Sequence, residues 1–246
     1  MFSTSATQQS TNVVCMKPAG LSTFDSGIQW RPQETLESGD SLFWEGETAT
    51  HIFEVTEGVL RVFRIIADGR RIIMGFLFAG DIIGISFRHH YLYTVEAVTT
   101  AKVRRCSRTS FQQKLNTDPA LQPKLFAKLC EEMAAAQDHM VLLGRKSAEE
   151  RLCSFFLMLA RRQAKAAAPR VILDLPMSRQ DIADFLGLTI ETVSRNITRL
   201  TSMGVISPVG RHSIELRVNK LALLAGDCDA DNNDSTENGG RRLARC

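Results

Sequence analysis

An α+β chain is expected from this sequence, with an N-terminal β-barrel or sandwich, a long helix and a C-terminal winged helix-turn-helix. Short alternating strand patterns punctuated by glycine, a heptad-spaced apolar seam, and two short helix patterns split by a glycine point to it. Residues 1–28 come first. They are polar, rich in Ser, Thr and Gln, and are expected to form a flexible arm. Residues 29–110 have β texture. Val59-Leu60-Arg61-Val62-Phe63-Arg64-Ile65 and Arg71-Ile72-Ile73-Met74-Gly75-Phe76 flank Asp68-Gly69, a strong hairpin signal. Gly39, Gly46, Gly58, Gly69, Gly80 and Gly84 supply regular turn signals.

Residues 111–147 change to helical period. Leu129, Met133, Ala136, Met140 and Leu143 are spaced four, three, four and three apart, an a/d seam of about two heptads. The seam fits a helix packed on its own domain or one paired with a second copy. Ser147-Ala148-Glu149-Glu150 is a capping box that starts a new helix at about Ala148, with Leu152, Phe155, Phe156 and Leu159 on its buried face. Residues 148–225 form the expected C-terminal domain, with Ala164 to Pro169 leading into its compact α/β unit. Residues 226–246 are polar and expected to be disordered.

The 246 residues suffice for one large domain or two small ones. Thirty basic residues against 27 acidic ones leave a formal charge of +3. That excludes a broadly basic, non-specific nucleic-acid binder but allows a local basic surface. The tail from residue 226 carries five acids and three arginines, so the body is more positive than the whole. The apolar stretch from Ile72 to Gly80 falls well short of the roughly 20 residues that span a bilayer, so no membrane association is expected. The six cysteines are scattered, without CxxC or Cys/His ligand spacing. A reduced, cytoplasmic protein without a zinc site or disulfide framework is expected. With neither a catalytic triad pattern, a paired-carboxylate signature nor a phosphate loop, the expectation is no enzyme, no metal and no cofactor. His89 and His90 are adjacent, so on a strand they point to opposite faces and chelate poorly together.

The strongest signal runs from Met177 to Met203. Ser178 precedes Arg179-Gln180-Asp181 as a cap, and Ile182, Phe185 and Leu186 give a helical apolar face. Gly187 suits a tight turn, and Thr189 caps a second helix with Val193, Ile197 and Leu200 facing the core. On that helix Glu191, Ser194 and Arg195 stand at i, i+3 and i+4, on one face near the N-terminus, where a recognition helix reaches base edges. Arg bonds guanine O6 and N7, Glu accepts from cytosine N4, and Ser serves either kind of base. The bland alternative is an i,i+4 surface ion pair. Ser178, Thr189, Thr192, Thr198 and Arg199 are candidate DNA-backbone contacts, with Thr201 beside them. Gly204 to Val218 reads as strand, turn and strand, a wing with Arg211 and His212 at its tip, where Arg211 is a further backbone candidate.

These features resemble the Crp/Fnr family of bacterial transcription regulators over about residues 29–225. Gly39-Asp40, Phe53-Glu54-Val55-Thr56-Glu57-Gly58 and Gly80-Asp81-Ile82-Ile83-Gly84 are similar to the family's jelly-roll, cyclic-nucleotide-binding-like barrel. The run from Arg179 to Arg195, with Glu-x-x-Ser-Arg, resembles its Fnr/FixK recognition helix. The resemblance implies a homodimer joined along Leu129, Met133, Ala136, Met140 and Leu143. It also implies binding of double-stranded DNA at TTGAT-N4-ATCAA-like palindromes, and contact with RNA polymerase as an activator. The cyclic-AMP members carry a Glu after the GD-x-x-G turn and then an Arg-Ser pair. Here Ile85 follows Gly84 and no Arg-Ser pair follows, so cyclic nucleotide is not an expected ligand. The arm holds only Cys15, so no iron–sulfur cluster is expected. What remains is similar to the FixK-type branch, which controls microaerobic and nitrogen-fixation genes. An effector-gated regulator and a cyclic-nucleotide-binding-like protein-interaction module are the alternatives.

Overall fold

The computed structural model describes residues 28–85, 88–163 and 168–226. The flexible arm and the disordered tail expected at the two ends fall, but for Ile28 and Gly226, outside the described residues. Eight strands come first: β1 (Glu34–Leu36), β2 (Ser41–Phe43), β3 (His51–Glu57), β4 (Leu60–Ile65), β5 (Arg71–Leu77), β6 (Ile82–Ile83), β7 (Thr94–Ala97) and β8 (Ala101–Ser107). They form two four-stranded antiparallel sheets, β1-β8-β3-β6 and β2-β7-β4-β5. Phe43, Phe53, Val55, Leu60, Val62, Val95 and Val103 fill one core of this jelly roll. Alternation drives the burial: on β8, Ala101, Val103 and Cys106 are buried, whereas Lys102 and Arg104 are half-buried. The Asp68-Gly69 hairpin joins β4 to β5, as the sequence predicts. Gly58 turns the chain from β3 to β4 with φ 82°, and a Cβ there would lie 2.5 Å from the Thr100 carbonyl oxygen, so no other residue fits.

Six helices follow or interleave: α1 (Arg108–Thr117), α2 (Leu121–Arg145), α3 (Ala148–Arg162), α4 (Arg179–Leu186), α5 (Ile190–Ser202) and α6 (Val218–Ala225). The segment 111–147, expected as one helix, is therefore two. Asp118-Pro119 breaks it: proline lacks an N–H and pushes the preceding residue out of helical space, and Asp118 is extended at φ −124° and ψ 93°. Ser147 and Glu150 exchange both capping-box bonds at the start of α3. Leu152, Phe155, Phe156 and Leu159 lie in the core, as their spacing predicts. The C-terminal sheet is three-stranded, in the order β10 (Ile206–Pro208), β11 (Ser213–Arg217), β9 (Arg170–Asp174). β9 and α6 are elements that the periodicity did not single out. α6 packs on α3 and buries Leu221 and Ala225.

One apolar cluster crosses the domain boundary. Phe63, Ile73 and Phe76 of the β4–β5 hairpin join Phe155 of α3 and Phe185 of α4. Phe76, Phe155 and Phe185 form a ring triad with centroids 5.4–6.2 Å apart. The barrel and the C-terminal domain thus share a core.

Candidate nucleic-acid interface

Local chemistry sets each end of the two short helices. Ser178 Oγ accepts from the Asp181 N–H at 3.1 Å, and Asp181 Oδ2 accepts from the Ser178 N–H at 3.0 Å, closing a capping box on α4. Gly187 ends α4 in the left-handed region, at φ 62° and ψ 39°. Thr189 Oγ1 accepts from the Thr192 N–H at 3.3 Å and caps α5. Val193 and Leu200 are fully buried beneath α5, which fixes the opposite face outward.

That outward face carries Glu191 and Arg195, both exposed, and Ser194, half-buried between them. The Glu191 backbone N–H and the Thr189 side chain hold the Glu191 carboxyl below the usual carboxylate range. It is therefore an anionic acceptor at neutral pH. Arg195 touches Thr192 Oγ1 through a long 3.3 Å hydrogen bond and otherwise extends from the helix. Arg179 Nη1 donates to Ser194 Oγ at 3.2 Å, bridging α4 and α5. Arg179 was not among the sequence candidates; only the fold brings the first residue of α4 onto α5.

The backbone candidates divide by what already occupies them. The Ser178 hydroxyl donates to Asp181 Oδ2 at 2.8 Å, so its proton is committed inside the capping box. Thr198 Oγ1 donates to the Ser194 carbonyl at 3.1 Å, and Thr201 Oγ1 to that of Ile197 at 2.8 Å. Thr189 and Thr192 share a hydroxyl contact at 3.2 Å at the helix N-terminus, where partial positive charge favours an anion. Arg199 Nε pairs with Glu149 at 3.1 Å yet stays largely exposed. Arg211 is exposed at the wing tip.

On α2, Met133 is 60% exposed and Met140 64%, and Ala136 is exposed beside them. Leu129 packs partly into the cluster beneath α1, and Leu143 lies against Gly187, so these two seam residues pack within the chain itself. Phe126, one heptad before Met133, is 69% exposed and extends the apolar line. Its heptad spacing from Met133 was the signal in the sequence.

In the barrel, the Gly80–Gly84 turn faces two tyrosines. Tyr91 is buried, stacks on Phe43 at 3.8 Å between centroids, and donates its hydroxyl to the His51 carbonyl at 2.9 Å. Its ring lies 3.5 Å from where a Cβ on Gly84 would sit. The Gly84 backbone hydrogen-bonds the Tyr93 hydroxyl, and burial pushes that phenol up to about 12. His89 and His90 are exposed, and no group of three or more metal-ligating side chains occurs among the described residues. Cys153 lies wholly in the core, where burial pushes its thiol up to about 12.

A jelly roll coupled through a long helix to a winged helix-turn-helix whose second helix turns a polar face outward defines a DNA-binding regulator. Residues 33–118 match the cyclic nucleotide-binding domain, and residues 150–225 match the Crp-like helix-turn-helix domain. The chain is 42% identical over 177 residues to the nitrogen fixation regulation protein FixK of Azorhizobium caulinodans, covering 72% of this chain and 71% of that one. It is 38% identical over 172 residues to FixK of Bradyrhizobium diazoefficiens, covering 70% and 73%. The structure of FixK2 from Bradyrhizobium japonicum matches with a TM-score of 0.73 at 36% identity, covering 78% of this chain and 96% of that one. The chain belongs to the Crp/Fnr family. It is a DNA-binding transcription activator of that type and not an enzyme. No described helix is long and apolar enough to cross a membrane.

Proposed function

We propose that this chain works as a cytoplasmic homodimer that binds a TTGAT-N4-ATCAA-like palindrome and activates microaerobic and nitrogen-fixation genes. The observation that carries this reading is the outward triplet Glu191, Ser194 and Arg195 on α5. Two such faces, carried on α2 helices paired through Phe126, Met133, Ala136 and Met140, would meet successive major grooves about 34 Å apart. Thr189, Thr192, Arg199 and Arg211 supply phosphate contacts that set the register, and the barrel presents surface to RNA polymerase. Binding needs no cyclic nucleotide and no iron–sulfur cluster. Tyr91 and Tyr93 support the first point, because the Tyr91 ring and the Tyr93 hydroxyl engage Gly84 in the turn that a nucleotide would need.

An electrophoretic shift with the palindromic duplex, with and without cyclic AMP, tests this. Tight binding without nucleotide is the expected result. Binding only with cyclic AMP would overturn the effector-free reading in favour of a gated regulator. No binding in either condition would overturn the palindrome.

A further inference from the structure

We propose that Arg61 and Arg71 of the β4–β5 hairpin are positioning residues for DNA recognition: they hold α4 at a fixed angle to the barrel and so restrict the half-site spacing the protein accepts. The inference rests on the dimeric reading above.

The geometry is a clasp between domains. Arg61 Nη1 reaches Asp181 Oδ1 at 3.0 Å, and Arg71 Nη2 reaches the same oxygen at 2.7 Å. Arg71 Nε also reaches Asp184 Oδ2 at 2.8 Å. Asp181 and Asp184 stand three residues apart, on one face of α4. Arg71 therefore grips the helix at two points along its axis, which opposes both tilt and rotation. The Asp181 carboxylate is 3% exposed and both its oxygens are used, one for the capping box and one for the two arginines. Arg61 is itself held by Glu96 of β7, so the grip is braced from within the barrel.

Three further contacts keep the frame stiff. Phe76 of the hairpin packs on Phe185 of α4. His139 of α2 meets Phe185 edge-on, with 4.3 Å between ring centroids, and hydrogen-bonds its backbone. At the far end of α3, buried Arg162 pairs with Asp81 of the barrel and lies over Phe78. α5 follows α4 through the Gly187 turn and the Arg179–Ser194 bond. The direction of the reading face is therefore set by the hairpin.

Such a frame has a consequence for DNA. Adding one base pair between half-sites moves the second by about 3.4 Å along the axis and by about 34° around it. A dimer whose reading heads are clasped to their barrels follows neither movement. One with loosened heads follows both.

The test titrates full-length protein against palindromes whose half-sites are separated by three, four, five or six base pairs. The wild type, Arg71→Ala, Arg71→Lys and Asp184→Asn are compared. Arg71→Ala should flatten the preference among spacings by about tenfold, the scale of coupling a single side chain carries. Arg71→Lys, which keeps one charge, and Asp184→Asn, which keeps the Asp181 bonds, should lie between. Should Arg71→Ala fail to fold by circular dichroism, Asp184→Asn decides alone. An equal loss at every spacing, or no loss, would make the clasp purely structural and overturn the proposal. A wild type without any spacing preference would overturn the proposal as well, whereas a monomeric wild type in sedimentation velocity would overturn the dimeric reading beneath it.

Discussion

Replacing Arg151 with methionine should destabilise the protein by about 3 kcal/mol, with each of three lost charge-assisted hydrogen bonds taken at about 1 kcal/mol. Arg151 sits near the start of α3. Its Nε donates to the Lys146 carbonyl at 2.9 Å, its Nη1 to that of Leu186 at 3.0 Å, and its Nη2 to that of Leu143 at 2.8 Å. Leu143 lies in the last turn of α2 and Leu186 in the last turn of α4, where carbonyls lack helical partners. Methionine keeps most of the apolar stem and removes every donor. The value per bond is set below the range for fully buried charged donors because the guanidinium is only part-buried. For a chain of this length, about 3 kcal/mol corresponds to a fall of about 6–12 °C in Tm. Thermal melts and urea titrations followed by circular dichroism measure it. Arg151→Lys should recover part of the loss, since an ammonium reaches one or two of the carbonyls. A loss under about 1 kcal/mol for Arg151→Met would show that water satisfies those carbonyls equally well, and would refute the reasoning.

Arg195→Ala should cost about 1–3 kcal/mol per half-site on the palindrome and far less on random DNA; an equal loss on both would reduce Arg195 to a phosphate contact. Met133→Glu with Met140→Glu should give monomers in sedimentation velocity, and a retained dimer would place the interface elsewhere. Burial pushes the Cys106 thiol up to about 11 and that of Cys153 up to about 12. Both folded values lie above the unfolded one, so the stability gained by keeping these thiols neutral is whole below about pH 8.5 and is lost as pH rises toward the folded values. The urea midpoint should therefore fall between pH 8 and pH 10.5, and less steeply in Cys153→Ala. Parallel slopes for the two proteins would contradict the assignment.

The sequence made legible what short-range chemistry decides. The boxes at Ser147 and Ser178, the Asp68-Gly69 hairpin and the left-handed Gly187 each depend on atoms within a few residues, and each stands where its pattern put it. The break at Pro119 was equally local, but the apolar period on both sides of it masked the signal. β9 is hard to read because Ile172, half exposed, puts an apolar residue on the outward position between buried Val171 and Leu173 and so hides the alternation of Arg170 to Asp174. The Arg71–Asp181 contact joins residues 110 apart, and no periodicity brings such a pair together. The polar face proposed to read DNA was visible as a spacing on one helix. Its bond to Arg179 was not, because that depends on how tightly the Gly187 turn folds α4 against α5.

The two short helices divide their labour by face. α4 turns Asp181, Asp184 and Phe185 toward the barrel and the long helix, whereas α5 turns Glu191 and Arg195 toward solvent. The contacts of Glu191 and Arg195 are to nearby groups of α5 and its cap, so replacing them leaves the clasp untouched. On the proposed reading, target choice and molecular architecture can therefore diverge separately: a duplicated copy of this chain would acquire a new operator through changes on one exposed helical face, while its interdomain frame is inherited whole.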